Sequence, residues 1–124
     1  MRIKELIDAL EDFAPLALQD GFDNAGMQIG LTEDAEPTGV LLCLDVTEQV
    51  VDEAAERGCN LIVSHHPLLF HPLKSITPNN YVGRTVISAI QHGITLYAAH
   101  TNLDNARGGV NYKMAEKLGL IVTG

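Results

Sequence analysis

Apolar side chains at Ile3, Leu6, Ile7, Leu10 and Phe13 recur at the spacing of one helical face, and Pro15 marks where that helix should stop. From Gln19 to Thr38 the chain is rich in Asp, Gly and Asn, with one apolar island at Met27 to Ile29 and punctuation from Pro37 to Gly39. That pattern predicts a long structured loop or a short edge strand. GVLLCLD, Gly39 to Asp45, is a continuous apolar run and predicts a strand buried on both faces. VTEQVVDEAAERG follows with helical spacing, Thr47 as its N-cap and Gly58 as its stop. NLIVS, Asn60 to Ser64, predicts a second strand, HHPLLFHPLKSITPNN a proline-punctuated loop, and VGRTVISAIQHG a helix ended by Gly93. ITLYAAH, Ile94 to His100, predicts the third strand, TNLDNARGG its loop, and VNYKMAEKLG the last helix. Strands alternating with helices predict an α/β fold with a mostly parallel sheet flanked by helices. With no repeat, low-complexity tract or linker, residues 1–124 read as a single α/β domain.

Composition narrows the function classes. A chain of 124 residues that is 46% hydrophobic is sized for one compact domain with a real but marginal core. No apolar run approaches the roughly 18 residues of a membrane span, and MRIKELIDALEDF is acidic and amphipathic rather than basic and then apolar. The expectation is a cytoplasmic protein without membrane span or secretory signal. Cys43 and Cys59 belong to no CxxC pair and read as buried free thiols in a reducing compartment. A net charge of −8, with eight scattered Lys and Arg, argues against a nucleic-acid partner. The charge is also uneven. Of sixteen acidic residues only Asp104 and Glu116 lie beyond residue 62, whereas all five histidines do, so Asp104 stands out as the carboxylate of the histidine-rich half.

Parallel strands deliver their following loops to one edge of the sheet, where ligands of α/β proteins bind. Asp45 ends the first predicted strand, His65 and His66 end the second, and His100 and Asp104 follow the third. Imidazole and carboxylate groups from adjacent loops suit a divalent cation such as zinc, iron or manganese, and the lack of nearby thiolates argues against a cysteine-based structural zinc. Neighbouring imidazoles at a turning strand end can serve two ions, and an Asp can bridge ions about 3.5–4 Å apart. The competing reading of HHP is an exposed polar loop. Elsewhere the plainer readings stand. His71 is a loop histidine, and His92 caps the helix that Gly93 ends. Asp45 is read as capping the helix that follows rather than orienting a histidine. Asp23, Asn24 and Gly26 form a turn or a substrate-side loop, and Gly108 with Gly109 form a tight turn.

Four segments together resemble the amino-terminal half of the NGG-one-interacting-factor-three family: GFDNAGMQIG, LLCLDVTEQVVDEA, SHHPLLFHPLKSI and AAHTNLDNARGGVNYKMAEKLGL. The resemblance covers nearly the whole chain, and HHP together with HTNLD is its most specific part. It implies dinuclear-metal proteins assembled as hexameric rings and grouped as GTP cyclohydrolase type-two-like. Position by position, it implies His65 and His66 as paired metal ligands and Asp104 as the bridging carboxylate, with no residue assigned as catalytic. His100 and Asn102 match positions lining the pocket, and Asp23, Asn24 and Gln28 match a DN-x-G-x-Q loop bordering it. Family members complete the site with a His and a Glu four residues apart near their carboxyl end, and no histidine here is followed four residues later by Glu. The chain therefore reads as one lobe of a two-lobed fold, ending at an apolar LGLIVTG, with the carboxyl-terminal lobe absent and the site for two divalent ions incomplete. The implied function is a metal-dependent hydrolase of a small nucleotide-like substrate. The alternative is a non-catalytic metal-binding or ring-forming interaction module, and the implied partners are copies of the chain itself, as a homo-hexamer of the full-length protein.

Overall fold

In the computed structural model, which describes residues 1–30 and 34–119, the first apolar stripe forms helix α1, Ile3–Phe13, closed before Pro15 and followed by a single 3-10 turn, Leu16–Leu18. The apolar island forms strand β1, Gly26–Ile29. Three βα units follow: β2, Val40–Cys43, with α2, Glu48–Glu56; β3, Leu61–Ser64, with α3, Tyr81–Gln91; and β4, Thr95–Ala98, with the short α4, Thr101–Asn105. Helix α5, Val110–Leu118, ends the described chain at Gly119. The last five residues of the apolar LGLIVTG segment lie outside the described residues.

The local signals explain most of these ends. Thr47 caps α2 by accepting the backbone N–H of Val50 at 3.2 Å, and Asn80 caps α3 by accepting that of Gly83 at 2.8 Å. Gly58 and Gly93 stop the same helices in the left-handed conformation that glycine adopts without strain. His92 accepts the expected C-terminal role, its ring nitrogen Nδ1 lying 2.8 Å from the Ser88 carbonyl. TNLDNARGG, expected as a loop, contains α4. Asn102 is what shapes it: the side chain accepts the His100 N–H at 2.9 Å and donates to the Ala14 carbonyl at 2.9 Å, fixing the turn to the end of α1.

The sheet runs β1-β4-β3-β2, with the last three strands parallel and β1 antiparallel at one edge. Alternation along the strands divides the core. Ile62 and Leu96 face α2 and α3, where Val51, Ala54, Val86 and Ala89 close over them, while Leu61 and Tyr97 face Ile3 and Ile7 of α1. Each fully buried aliphatic side chain contributes about 1.5–3 kcal/mol. The prediction that Gly39–Asp45 is buried on both faces is wrong. Only Leu41 and Cys43 pack inward, and Leu42 and Leu44 are 74% and 62% exposed. As the other edge strand, β2 lies beyond the reach of α1, so one of its faces has no cover. Among the described residues no helix is long and apolar enough to cross a membrane.

Candidate metal centre

The parallel ladder continues one step past β3 and carries the paired histidines off the sheet edge. His65 donates its backbone N–H to Cys43 at 3.1 Å, and His66 donates to Leu44 at 2.9 Å. The Ser64 hydroxyl, donating to the His66 carbonyl at 2.9 Å, turns the chain there. On the neighbouring strand, Ala99 donates to the Ser64 carbonyl at 2.8 Å, which brings His100 alongside. The three imidazoles form a nearly equilateral triangle with centroids 5.1, 5.1 and 5.3 Å apart. One ligand nitrogen from each of His65, His66 and His100 lies within 4.8 Å of the others. Asp104 stands one turn of α4 after His100, its N–H bonded to the His100 carbonyl, and its Oδ1 lies 3.7 Å from His65 Nε2.

Each ring has one nitrogen already engaged. Nδ1 of His65 lies 2.9 Å from the Ala99 carbonyl, Nδ1 of His66 lies 2.7 Å from Asp45 Oδ1, and Nδ1 of His100 lies 3.0 Å from Asp23 Oδ1. All three partners are acceptors, so in the neutral ring each Nδ1 carries the proton and each Nε2 is the nitrogen with a lone pair to offer. Asp45 thus corrects one expectation. It orients His66 instead of capping α2, because Thr47, two residues later, has taken the cap.

Asp23 is held hardest. Its side chain is fully hidden; Oδ1 also accepts the Asn24 N–H, and Oδ2 accepts both the N–H and the hydroxyl of Thr101. Burial alone raises the pKa of this carboxyl, but the bonds from His100, Thr101 and Asn24 outweigh it and bring the value down from 3.8 to about 2. Of the remaining residues expected to border the pocket, Asn102 is a buried strut of the His100 turn. Asn24 and Gln28 fasten the DN loop to the loop after the histidines: Asn24 Nδ2 donates to the Leu69 carbonyl at 2.6 Å, and Gln28 Oε1 accepts the Leu69 N–H at 3.0 Å. Neither touches the imidazole triangle. Burial, with the Asp45 charge added, pushes the nearby Cys43 thiol upward, which keeps it protonated and poorly nucleophilic.

Residues 1–123 match the family model of Duf34/NIF3 (NGG1p interacting factor 3). The chain belongs to this family. Among Duf34/NIF3 relatives, a Clostridium perfringens protein named GTP cyclohydrolase 1 type 2 homolog is 45% identical over 96% of the chain and 45% of its own length. A Halalkalibacterium halodurans protein of the same name is 48% identical over 93% of the chain and 31% of its own. Of solved structures, a Bacillus cereus protein related to NIF3 superposes with a TM-score of 0.88 at 45% identity, over 98% of this chain and 33% of that one. Reduced HcgD from Methanocaldococcus jannaschii superposes with a TM-score of 0.90 at 35% identity, over 98% of this chain and 48% of that one. The chain thus spans less than half the length of these relatives.

Proposed function

We propose that His65, His66, His100 and Asp104 are this chain's share of a dinuclear divalent-metal centre, and that the centre serves a cyclohydrolase-like hydrolase of a small nucleotide-like substrate. The observation that carries the proposal is the common orientation of the three rings, each with Nδ1 committed to an outer acceptor and Nε2 left as a ligand. Outer partners of this kind are how proteins fix the tautomer and raise the basicity of metal-binding histidines. The donor set fits the ion. Bonds of about 2.0–2.2 Å place two ligand atoms on one ion at most about 4.4 Å apart. The 3.7 Å between His65 Nε2 and Asp104 Oδ1 falls inside that limit, and the three histidines each bring a ligand nitrogen within 4.8 Å of the others, close enough to share in holding an ion.

When bound, such ions supply Lewis-acid stabilisation of developing negative charge and acidify water. The chain's own residues do the rest. Asp23, Asp45 and the Ala99 carbonyl hold the imidazoles in place, and Asp104 would supply the carboxylate shared between two ions. Zinc, iron and manganese all suit this nitrogen and oxygen set. The relatives' names support the hydrolase reading. A homo-hexameric ring and a cytoplasmic setting belong to the same proposal, for a full-length protein that carries the remaining ligands.

The test is calorimetric titration of zinc and manganese, beside the metal content of protein purified without added metal. Binding is expected, weaker than in a full-length relative, with His66→Ala and Asp104→Ala each lowering zinc affinity at least about tenfold. Affinity untouched by both substitutions overturns the ligand assignment. GTP turnover by a full-length relative, lost with the substitution equivalent to His66→Ala, supports the hydrolase; tight metal binding without turnover supports a metal-binding module instead.

A further inference from the structure

Two of the three imidazoles lean on a carboxylate, and the two carboxylates are held differently. Asp45, behind His66, is 63% exposed and has water to turn to. Asp23, behind His100, has its side chain wholly hidden, so both of its oxygens must find partners inside the protein. Oδ1 accepts from His100 Nδ1 and from the Asn24 N–H. Among the described residues Oδ2 is served by Thr101 alone, through its N–H at 3.0 Å and through its hydroxyl.

The Thr101 hydroxyl is aimed by its other bond. Its oxygen accepts the Asp20 N–H at 2.8 Å, which leaves the hydroxyl proton for the acceptor still in reach, Asp23 Oδ2. Thr101 opens α4 and Asp20 precedes β1, so one buried side chain joins segments 81 residues apart. Both bonds of the hydroxyl go to the loop before β1 and neither to an imidazole. The last torsion of an Asp side chain is soft, and a single N–H leaves the carboxylate room to rock. A second donor meeting the same oxygen from another direction sets its plane. That plane decides where Oδ1 points, and with it which nitrogen of His100 carries the proton.

We propose that Thr101 is a positioning residue of the metal centre: its hydroxyl fixes the plane of Asp23, and Asp23 then holds His100 as the Nδ1–H tautomer with Nε2 turned to the ion. The inference rests on the reading of His100 as a ligand. It also sets His100 apart, because His65 leans on the Ala99 carbonyl and His66 on Asp45, and neither bond passes through Thr101.

Long-range proton–nitrogen NMR spectra of the metal-free full chain report which nitrogen of each ring is protonated, at about pH 8, where imidazoles are ordinarily neutral. The wild type is expected to show the Nδ1–H form at His65, His66 and His100. Thr101→Val keeps the N–H and removes the hydroxyl, and is expected to give mixed tautomers at His100 alone; Thr101→Ser is expected to restore the single form. Zinc affinity by calorimetry is expected to fall about tenfold or more in Thr101→Val and to recover in Thr101→Ser, the scale of losing an outer partner of a ligand histidine. If the methyl that replaces the hydroxyl crowds Asp23 and the Val variant unfolds, Thr101→Ala, which adds no bulk, carries the same expectations. A single tautomer kept at His100 without the hydroxyl overturns the proposal. So does a Ser variant no better than Ala, which would make Thr101 a packing element, and so do changes shared equally by His65 and His66. Because the tautomer is read without metal, the two proposals fail separately. The expected response at His100 in a chain that takes no zinc removes the metal reading and leaves Thr101 as what fixes the ring. Zinc lost in His66→Ala but held in full by Thr101→Ala removes the positioning role alone.

Discussion

Tyr97 sits 1% exposed beneath α1, and its hydroxyl donates to Glu11 at 3.2 Å. Burial, reinforced by the Glu11 carboxylate, pushes the phenol well above its ordinary 10.0. The unfolded chain ionises this phenol near pH 10 while the folded chain does not, so the unfolded state binds fewer protons there and stability falls as pH rises beyond that point. Below it the contribution is fully present. Tyr97→Phe has no proton to lose, and its urea-unfolding free energy is expected to fall less steeply than the wild type's between about pH 10 and 11.5. Equal slopes would mean that Tyr97 ionises as readily in the folded protein. At neutral pH the same variant is expected to lose the net value of one hydrogen bond to a carboxylate, about 1.5–3 kcal/mol.

Helix α3 is seated by a glycine. A Cβ at Gly83 would stand 2.0 Å from the Thr77 carbonyl oxygen, so the helix and the loop that precedes it approach more closely than any side chain allows. Gly83→Ala is expected to destabilise by roughly 3 kcal/mol or more through this backbone clash. Gly21, outside the left-handed region and with nothing within 4 Å, offers the contrast. There Gly→Ala is expected to be neutral or stabilising by up to about 1 kcal/mol, and denaturation midpoints in the opposite order would refute the packing account. The elements themselves were largely written in the chain, since α1, α2, α3 and the parallel strands each carry a period and a stop signal. Helix α4 was not legible, because five residues are too few to show a helical period and its turn depends on Asn102 reaching Ala14. Nor did GVLLCLD show its open face, since an apolar run reads the same at a sheet edge as at its centre. At the site, strand-end reasoning put His65, His66 and Asp104 on one edge. It put Asp45 and His100 there too, but their roles, Asp45 orienting His66 and His100 joining the imidazole triangle, depend on which loop atoms come within reach, which no spacing along the chain records.

At the scale of the whole molecule, the uncovered edge is expected to govern association in solution. Leu42 stands on β2, and Leu44 just after it, at an edge whose outer side pairs with nothing among the described residues, an arrangement that promotes association. Sedimentation is expected to show concentration-dependent self-association that Leu42→Lys reduces; a wild type monomeric at every concentration would refute this. The metal centre has a different dependence on the whole. The acceptors that hold its three histidines are 21, 34 and 77 residues away along the chain, after β2, after β4 and before β1. None is in position until its strand has docked, so the site is expected to be completed only after those long-range contacts have formed. An ion that recognises only the finished triangle is therefore expected to slow unfolding and leave the refolding rate unchanged in stopped-flow measurements, acting as a latch fastened after closure.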